Sequence, residues 1–161
     1  MKKLFLILTA AALSFAGCKS VSPSNEGASV EGASNKNAST ATISIEGDWQ
    51  TSKLEIDGVE QELCPSEMSI KQKDGDLYSI NGDSGVNRFF GDVKASGSSF
   101  KAQNNIGSTR MAGDPVSMKF EDNFTDALLS ATSWETFQKD SSTFLKISDK
   151  DGKRAITFTK K

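Results

Sequence analysis

The sequence predicts a mainly β domain of the α+β class, built as an antiparallel curved sheet or open barrel with one helix packed on it near residues 115–131. Two patterns between residues 43 and 161 predict this fold. Most apolar residues lie in short alternating runs, typical of half-buried strands, and the runs end at turn pairs such as Asp57-Gly58 and Asp74-Gly75. In one stretch the apolar residues recur at spacings of three and four, which is typical of a helix.

The alternating runs predict the strands of the sheet. In chain order they are Trp49–Ile56, Met68–Lys73, Leu77–Ile80, Val86–Ala95, Ser99–Ile106, Ser133–Lys139, Thr143–Ser148 and Arg154–Thr159. Asp151-Gly152 lies between the last two runs, and both residue types tolerate the positive φ of a tight turn. We therefore expect those two strands to form a hairpin.

A single helix is predicted near residues 115–131. Asp114 provides a side-chain acceptor for the first turn, and Pro115 fits the first helical position. The apolar residues that would share the buried face are Val116, Phe120, Phe124, Ala127, Leu128 and Ala131. Among these, the two phenylalanines and the leucine follow each other at steps of four, so we expect them to lie together against the sheet.

The first seventeen residues have the pattern of a secretory leader. A short positive segment, Met1–Lys3, precedes the apolar run Leu4–Ala12, which is too short to span a hydrocarbon core of about 30 Å. The run ends at Phe15-Ala16-Gly17-Cys18, which resembles the bacterial lipobox. This resemblance implies that Cys18 is lipidated and that the chain is cleaved before it. The alternative is an ordinary secretory signal followed by a chance cysteine.

Lipidation at Cys18 would anchor the protein in a membrane. In the lipoproteins of Gram-negative bacteria, Asp after the lipidated cysteine favours retention in the inner membrane. This chain has Lys19 there. By analogy, and for a Gram-negative cell, we expect it in the cell envelope on the outer membrane, facing the periplasm.

Residues 18–42 are predicted to be a disordered tether. Ser, Ala, Asn and Gly dominate Lys19–Thr42, and its two large apolar residues are Val21 and Val30. Such a composition buries too little apolar surface to offset the entropy of ordering. The predicted organisation is therefore a signal peptide at 1–17, the lipidated cysteine and tether at 18–42, and a folded domain at 43–161.

The composition excludes several classes of protein. The chain has 161 residues, with 19 Lys and Arg against 21 Asp and Glu, so it lacks the basic excess of a nucleic-acid-binding protein. It has no His, which excludes a Ser-His-Asp triad, a Cys-His pair and a His-ligated zinc. Its two Cys cannot form a four-cysteine metal site. We therefore expect neither catalysis nor a cofactor nor a metal.

Three strings look like functional motifs but have simpler interpretations. The string at 82–85, Gly-Asp-Ser-Gly, resembles the active-site string of serine proteases, which requires a His. Ser98 and Lys101 have the spacing of an acylation motif, but they lie in a predicted hairpin. The acidic string at 149–152 lacks the Gly and Glu of an EF-hand loop. We interpret the first and third as turns and the second as chance. Cys64 is expected to be a half-buried small side chain or a free thiol.

Three further strings resemble one family when taken together. They are Gly47-Asp48-Trp49, Gly85-Val86-Asn87-Arg88-Phe89-Phe90-Gly91 and Ser108-Thr109-Arg110-Met111-Ala112-Gly113. In this order they resemble the META domain of HslJ-type bacterial lipoproteins, over residues 43–161. That family commonly has a cysteine in each of the last two strings, where this chain has Val86 and Gly113. The resemblance therefore implies that the family's disulfide is absent here.

The resemblance implies a lipocalin-like fold, and we interpret the motif residues as structural. Asn87 and Gly91 would serve turn geometry, while Met111 and one of the two phenylalanines at 89 and 90 would belong to the core. The alternative is an interaction surface, for which the candidates are Asn87, Arg88, Thr109 and Arg110.

The resemblance also implies a function without catalytic residues. We expect a non-enzymatic envelope lipoprotein, stress-related or supporting outer-membrane integrity through contacts with other envelope proteins. The family has been linked to heat-shock induction, antibiotic tolerance and secretion or motility. The alternative is a lipocalin-like carrier of a small apolar ligand. The sequence leaves the oligomeric state open.

Overall fold

The computed structural model describes residues 43–161, which form ten strands and one helix. The elements are β1 (Gly47–Ile56), β2 (Val59–Glu60), β3 (Glu67–Asp74), β4 (Leu77–Asp83), β5 (Arg88–Ser96), β6 (Ser99–Ala102), β7 (Gly107–Ser108), α1 (Pro115–Ser130), β8 (Ser133–Lys139), β9 (Ser142–Ser148) and β10 (Arg154–Lys160). The predicted signal peptide and the whole tether, including Cys18, lie outside the described residues. Within the described part, no helix is long and apolar enough to cross a membrane.

The strands form one antiparallel sheet that curves into a ring. Along the sheet the order is β10-β9-β8-β6-β5-β4-β3-β1-β2, and β7 pairs with β5. The last strand also pairs with the first, from Trp49 opposite Lys160 to Ile56 opposite Arg154, so the sheet meets itself. The predicted fold class is confirmed: a curved antiparallel sheet carries one helix.

Helix α1 begins and packs as its sequence predicts. The side chain of Asp114 accepts hydrogen bonds from the backbone N–H groups of Val116 and Ser117, at 3.0 and 3.1 Å. The buried side chains of the helix are Phe120, Phe124, Ala127 and Leu128. Val116 differs from the prediction, because it lies in the first turn and is 56% exposed.

Aromatic side chains fill the space between the helix and the sheet. Phe124 lies at the centre, with its ring centroid 5.6 Å from that of Phe89, 6.1 Å from Phe120 and 6.2 Å from Phe158. The largest fully buried side chains include Trp49, Phe100, Phe124 and Phe158. The interior of the ring is therefore occupied by packed side chains rather than by a wide channel of polar groups.

One predicted strand is divided by a loop. The run Ser99–Ile106 forms β6 and then a turn before the short β7. Asn105 directs this turn, because its side chain accepts a hydrogen bond from the backbone N–H of Asp92 and donates one to the Asp92 carboxylate. This amide contact, and after it the ammonium of Lys73, lowers the pKa of Asp92 below its ordinary value.

Gly91 serves a close approach and not a turn. It lies inside β5, so the predicted role in turn geometry is wrong. A Cβ atom at this position would lie 2.8 Å from the Cα of Ile106, which belongs to the loop that crosses β5. Because real Cβ atoms essentially never come so close to backbone atoms, the loop can cross there only over a glycine.

Removal of the Phe124 ring should destabilise the domain strongly. We expect Phe124→Ala to lower the free energy of unfolding by about 3–5 kcal/mol, because a fully buried phenyl ring leaves a cavity among three other rings. Urea melts followed by tryptophan fluorescence measure this difference.

The matched control is Asp122→Ala on the exposed side of the same helix. This change should alter the free energy of unfolding by less than about 0.5 kcal/mol. Equal, small effects of both substitutions would contradict the docking of α1 on the sheet.

Candidate functional site

Two loops meet at the end of the sheet where α1 begins, and they carry most of the motif residues. The first loop, residues 84–87, joins β4 to β5, and the second, residues 109–114, joins β7 to α1. The backbone N–H of Thr109 donates to the carbonyl of Arg88 at 2.9 Å, and the N–H of Arg88 donates to the Thr109 hydroxyl at 3.1 Å. We call this region the two-loop site.

Asn87 lies at the centre of the two-loop site and is 2% exposed. Its Oδ1 atom accepts hydrogen bonds from the Thr109 hydroxyl at 2.8 Å and from the backbone N–H of Met111 at 2.6 Å. Its Nδ2 atom donates to the carbonyl of Met111 at 3.1 Å and to the carboxylate of Glu121 at 2.9 Å. The amide of Asn87 therefore uses both its acceptor and its donor capacity to join three segments.

The backbone of Asn87 is held as firmly as its side chain. Its N–H donates to the Glu121 carboxylate at 2.9 Å, while its carbonyl accepts from both the backbone N–H and the hydroxyl of Ser84, at 2.8 and 2.9 Å. Glu121 thus links helix α1 to the first loop through two donors of the same residue. The sequence analysis did not identify Glu121, because its role depends on a contact 34 residues away.

The four candidate surface residues divide between the interior and the exterior. Asn87 is buried, whereas Thr109 is exposed and its hydroxyl is engaged by hydrogen bonds within the site. Arg88 and Arg110 are exposed, and the Arg88 guanidinium lies 3.7 Å from the Asp83 carboxylate. An interaction surface on this end of the molecule would therefore be formed by Thr109 and the two arginines, with Asn87 beneath it.

The predicted burial of Met111 and of one of the two phenylalanines, Phe89 and Phe90, is only partly correct. Phe89 is buried in the core, as predicted for one of the pair, while Phe90 is exposed. The prediction that Met111 belongs to the core is wrong, because its side chain is 56% exposed. The backbone of Met111 is held from both sides by Asn87, and this fixes the loop with its side chain directed outwards.

An apolar groove lies beside the two-loop site. It has a volume of about 340 Å³ and is lined by Gln61, Glu62, Pro115, Val116, Lys119, Phe120 and Asn123. Asn123 donates to the side-chain oxygen of Gln61 at 3.2 Å and so joins the two walls. Leu63 follows one wall in sequence and is exposed. The groove thus presents apolar surface to solvent.

The first turn of α1 adds local charge next to the groove. The hydroxyl of Ser117, followed by backbone N–H groups of the first turn, lowers the pKa of Asp114 below its ordinary value. Cys64 is half-buried, as expected, with its Sγ atom 3.8 Å from the Ser117 hydroxyl. Within residues 43–161, no cluster of Asp, Glu and Cys has the arrangement of a metal site.

The strings that look like catalytic motifs have structural roles. Gly82 and Asp83 belong to the end of β4, and Ser84 begins the turn, where its hydroxyl is buried and donates to a carbonyl. Ser98 lies in the turn between β5 and β6, and its carbonyl accepts the backbone N–H of Trp134 at 2.9 Å. The local geometry gives neither serine the environment of an activated nucleophile.

Comparison with known proteins identifies the family. The family model of the META domain matches residues 29–161 of this chain. The chain belongs to the META domain family. The match begins within the predicted tether, before the boundary at residue 43. None of the curated proteins matches this chain.

A solved structure has the same fold. The NMR structure of a protein from Burkholderia xenovorans resembles this chain with a TM-score of 0.58 and 19% sequence identity, and the alignment covers 72% of this chain and 82% of that one. At this level of identity the similarity shows the fold alone.

The structure brings together Val86 and Gly113, the two positions where the family resemblance implies cysteines. A Cβ atom at Gly113 would lie 3.4 Å from the Cβ of Val86 and 2.6 Å from its Cγ2. This separation is close to the Cβ–Cβ distance of a disulfide, about 3.8 Å. The Val86 side chain therefore fills the space that a side chain at position 113 would need. Gly113 has no side chain, so the valine fits there.

Asn87→Asp should destabilise this META domain by about 3–5 kcal/mol, because it places an unpaired carboxylate within hydrogen-bond distance of the Glu121 carboxylate. The double variant Asn87→Asp with Glu121→Gln should recover part of the loss, since a glutamine amide can donate to the new carboxylate. Urea melts of the four members of this cycle measure the coupling.

The control for this cycle is Arg88→Ala, which removes a neighbouring exposed side chain and should have little effect on stability. If Glu121→Gln failed to relieve any of the loss in Asn87→Asp, the assigned contact between the two side chains would be wrong.

A disulfide should form when the family's cysteines are restored. The double variant Val86→Cys with Gly113→Cys is expected to oxidise spontaneously and to gain about 2–4 kcal/mol in stability over its reduced form. Thiol titration and melts with and without reductant measure both effects.

Two comparisons accompany the disulfide variant. Gly113→Cys alone should be destabilised by about 1–3 kcal/mol, because its side chain meets Val86. The unmodified protein should melt at the same temperature with and without reductant. A double variant that stays reduced under air would show that the two positions are not close enough to pair.

Proposed function

We propose that this protein is a lipid-anchored lipoprotein of the cell envelope, on the outer membrane facing the periplasm, whose META domain acts through contacts with other proteins and without catalysis. Its role would be stress-related or in support of outer-membrane integrity. The anchor is supported by the leader that ends at Cys18. The role in stress or integrity is supported by the family resemblance.

The observation that carries the contact function is the combination of a filled interior with apolar side chains on the outside. Trp49 and Phe158 are fully buried inside the ring. Leu63, Met111 and Val116 are exposed around the start of α1, and Val116 lines the groove. Exposed apolar surface of this kind is typical of sites that contact another macromolecule.

The packing gives less support to a carrier. A lipocalin-like carrier would hold a small apolar ligand inside the ring, whereas this interior is occupied by the aromatic cluster around Phe124. The apolar groove lies on the surface, between the first turns of α1 and residues 61–62. Its position favours an occupant that arrives from outside, such as a side chain of a partner protein.

Membrane association should depend on Cys18. We expect Cys18→Ser to move the protein from the membrane fraction to the soluble fraction. The substitution removes the residue that would carry the acyl chains, and several acyl chains together bind a bilayer tightly. The matched control is Cys64→Ser, which removes the other cysteine of the chain and should leave the protein in the membrane. A Cys18→Ser protein that still sediments with membranes would disprove lipid anchoring at this residue.

The contact function is tested by photo-crosslinking of the intact protein in its membranes. A photoreactive residue at Val116 should give a discrete adduct with an envelope protein, and Leu63→Asp should abolish that adduct. The same group at Lys71, which is exposed on β3, is the control. Identical adducts from both positions, or none from Val116, would contradict a docking role for the groove.

A further inference from the structure

One edge of strand β8 has no neighbouring strand along most of its length among residues 43–161. On one side β8 pairs with β9 along its whole length, from Ser133 to Lys139. On the other side it meets β6 at one position, Ser133 opposite Ser99, and the N–H of Trp134 makes the next backbone contact. The five residues 135–139 therefore extend beyond the β5–β6 hairpin. We call this segment the free edge.

The turn after β8 decides which backbone groups the free edge presents. Asp140 and Ser141 form a two-residue turn with φ of 51° and 65°, so the flanking residues Lys139 and Ser142 form a hydrogen-bonded pair. Hydrogen-bonded and non-hydrogen-bonded pairs alternate along an antiparallel ladder. The N–H and C=O groups of Thr136 and Gln138 must then point away from β9, as does the N–H of Trp134.

We propose that a second copy of this chain pairs with the free edge, β8 against β8, antiparallel about a two-fold axis at Phe137. In this register Thr136 lies opposite Gln138 of the second copy, and the two residues exchange both backbone hydrogen bonds. The same exchange occurs again on the other side of the axis. This pairing satisfies the outward N–H and C=O groups of the free edge. The strand then no longer offers unpaired backbone groups to other chains.

Charge selects this register over the others. Residues whose backbone N–H and C=O groups point away from β9 can pair only with residues of the same kind in the second copy. The two strands can therefore shift along each other only in steps that keep this match. With Phe137 on the axis, Glu135 of each copy faces Lys139 of the other, giving two ion pairs on the outer face. An axis at Glu135 or at Lys139 places like charges opposite each other, and an axis at Thr136 or Gln138 leaves both charges without an opposite partner.

The aromatic side chains fit the same axis. Phe137 is 37% exposed, and its ring stacks on that of Phe144 with centroids 5.2 Å apart and planes 13° apart. Pairing through the axis would bring the two copies of Phe137 face to face as a close cross-strand pair. The four rings of both copies would then form one continuous row, which would cover the exposed part of Phe137.

Disulfide crosslinking tests the register directly, in the intact chain carrying Cys64→Ser. The two Phe137 positions would have Cα atoms about 4.5 Å apart, within the range of a disulfide. Phe137→Cys should therefore give a covalent dimer under mild oxidation. Glu135→Cys alone and Lys139→Cys alone should not, because each position lies about 13 Å from its own copy. A mixture of these last two variants should crosslink.

Charge reversal tests the same contact without cysteines. In sedimentation equilibrium of the intact chain in detergent, Glu135→Lys should raise the dimer dissociation constant roughly ten-fold, because two attractive pairs become repulsive. The double variant Glu135→Lys with Lys139→Glu should restore dimerisation. Thermal melts establish that each variant remains folded.

Three outcomes would overturn the proposal. A monomer at every concentration, with rapid hydrogen exchange at the amides of Thr136 and Gln138, would leave the edge open. A monomer in which those amides exchange slowly would show that another part of the same chain covers the edge. Crosslinking of Glu135→Cys as readily as Phe137→Cys would show contact without the proposed register.

Discussion

The packing of Phe124 in the ring is the contact on which the rest of this META domain depends. Its ring meets one aromatic side chain from β5, one from its own helix and one from β10, so it joins both halves of the sheet through α1. A strongly curved sheet has an inner face that must be filled, because unfilled space forfeits dispersion contacts. With the helix in place, Glu121 comes within reach of Asn87, and the two-loop site can form.

The sequence was sufficient to predict the helix and the eight longer strands, because each has a local signal, whereas the two-residue strands β2 and β7 were not predicted. Alternation marks Ser133–Lys139, and the cap at Asp114 marks the start of α1. Contacts between distant segments had no such signal. The passage of the loop over Gly91 and the bond from Asn87 to Glu121 depend on tertiary packing, so the sequence alone gave Gly91 the wrong role and did not identify Glu121.

The two-loop site is held by packing and by hydrogen bonds. At the two positions where the family resemblance implies cysteines, this chain has Val86 packed against Gly113. The hydrogen bonds of Asn87 remain beside this contact and fix both loops to the helix. No disulfide can therefore join these two positions, and the polar network of the site depends on a single buried amide.

The pairing of the first strand with the last has a consequence for how the chain reaches this structure. The Ser52 hydroxyl donates to the carbonyl of Thr157, 105 positions later, and the N–H of Lys161 donates to the carbonyl of Asp48. Contacts so distant in sequence give a high contact order, which slows folding because a long loop must close before they form. The ring cannot close before β10 has been synthesised. Until β10 is available, β1 lacks one of its two neighbours, and its unpaired edge is open to pairing with other strands.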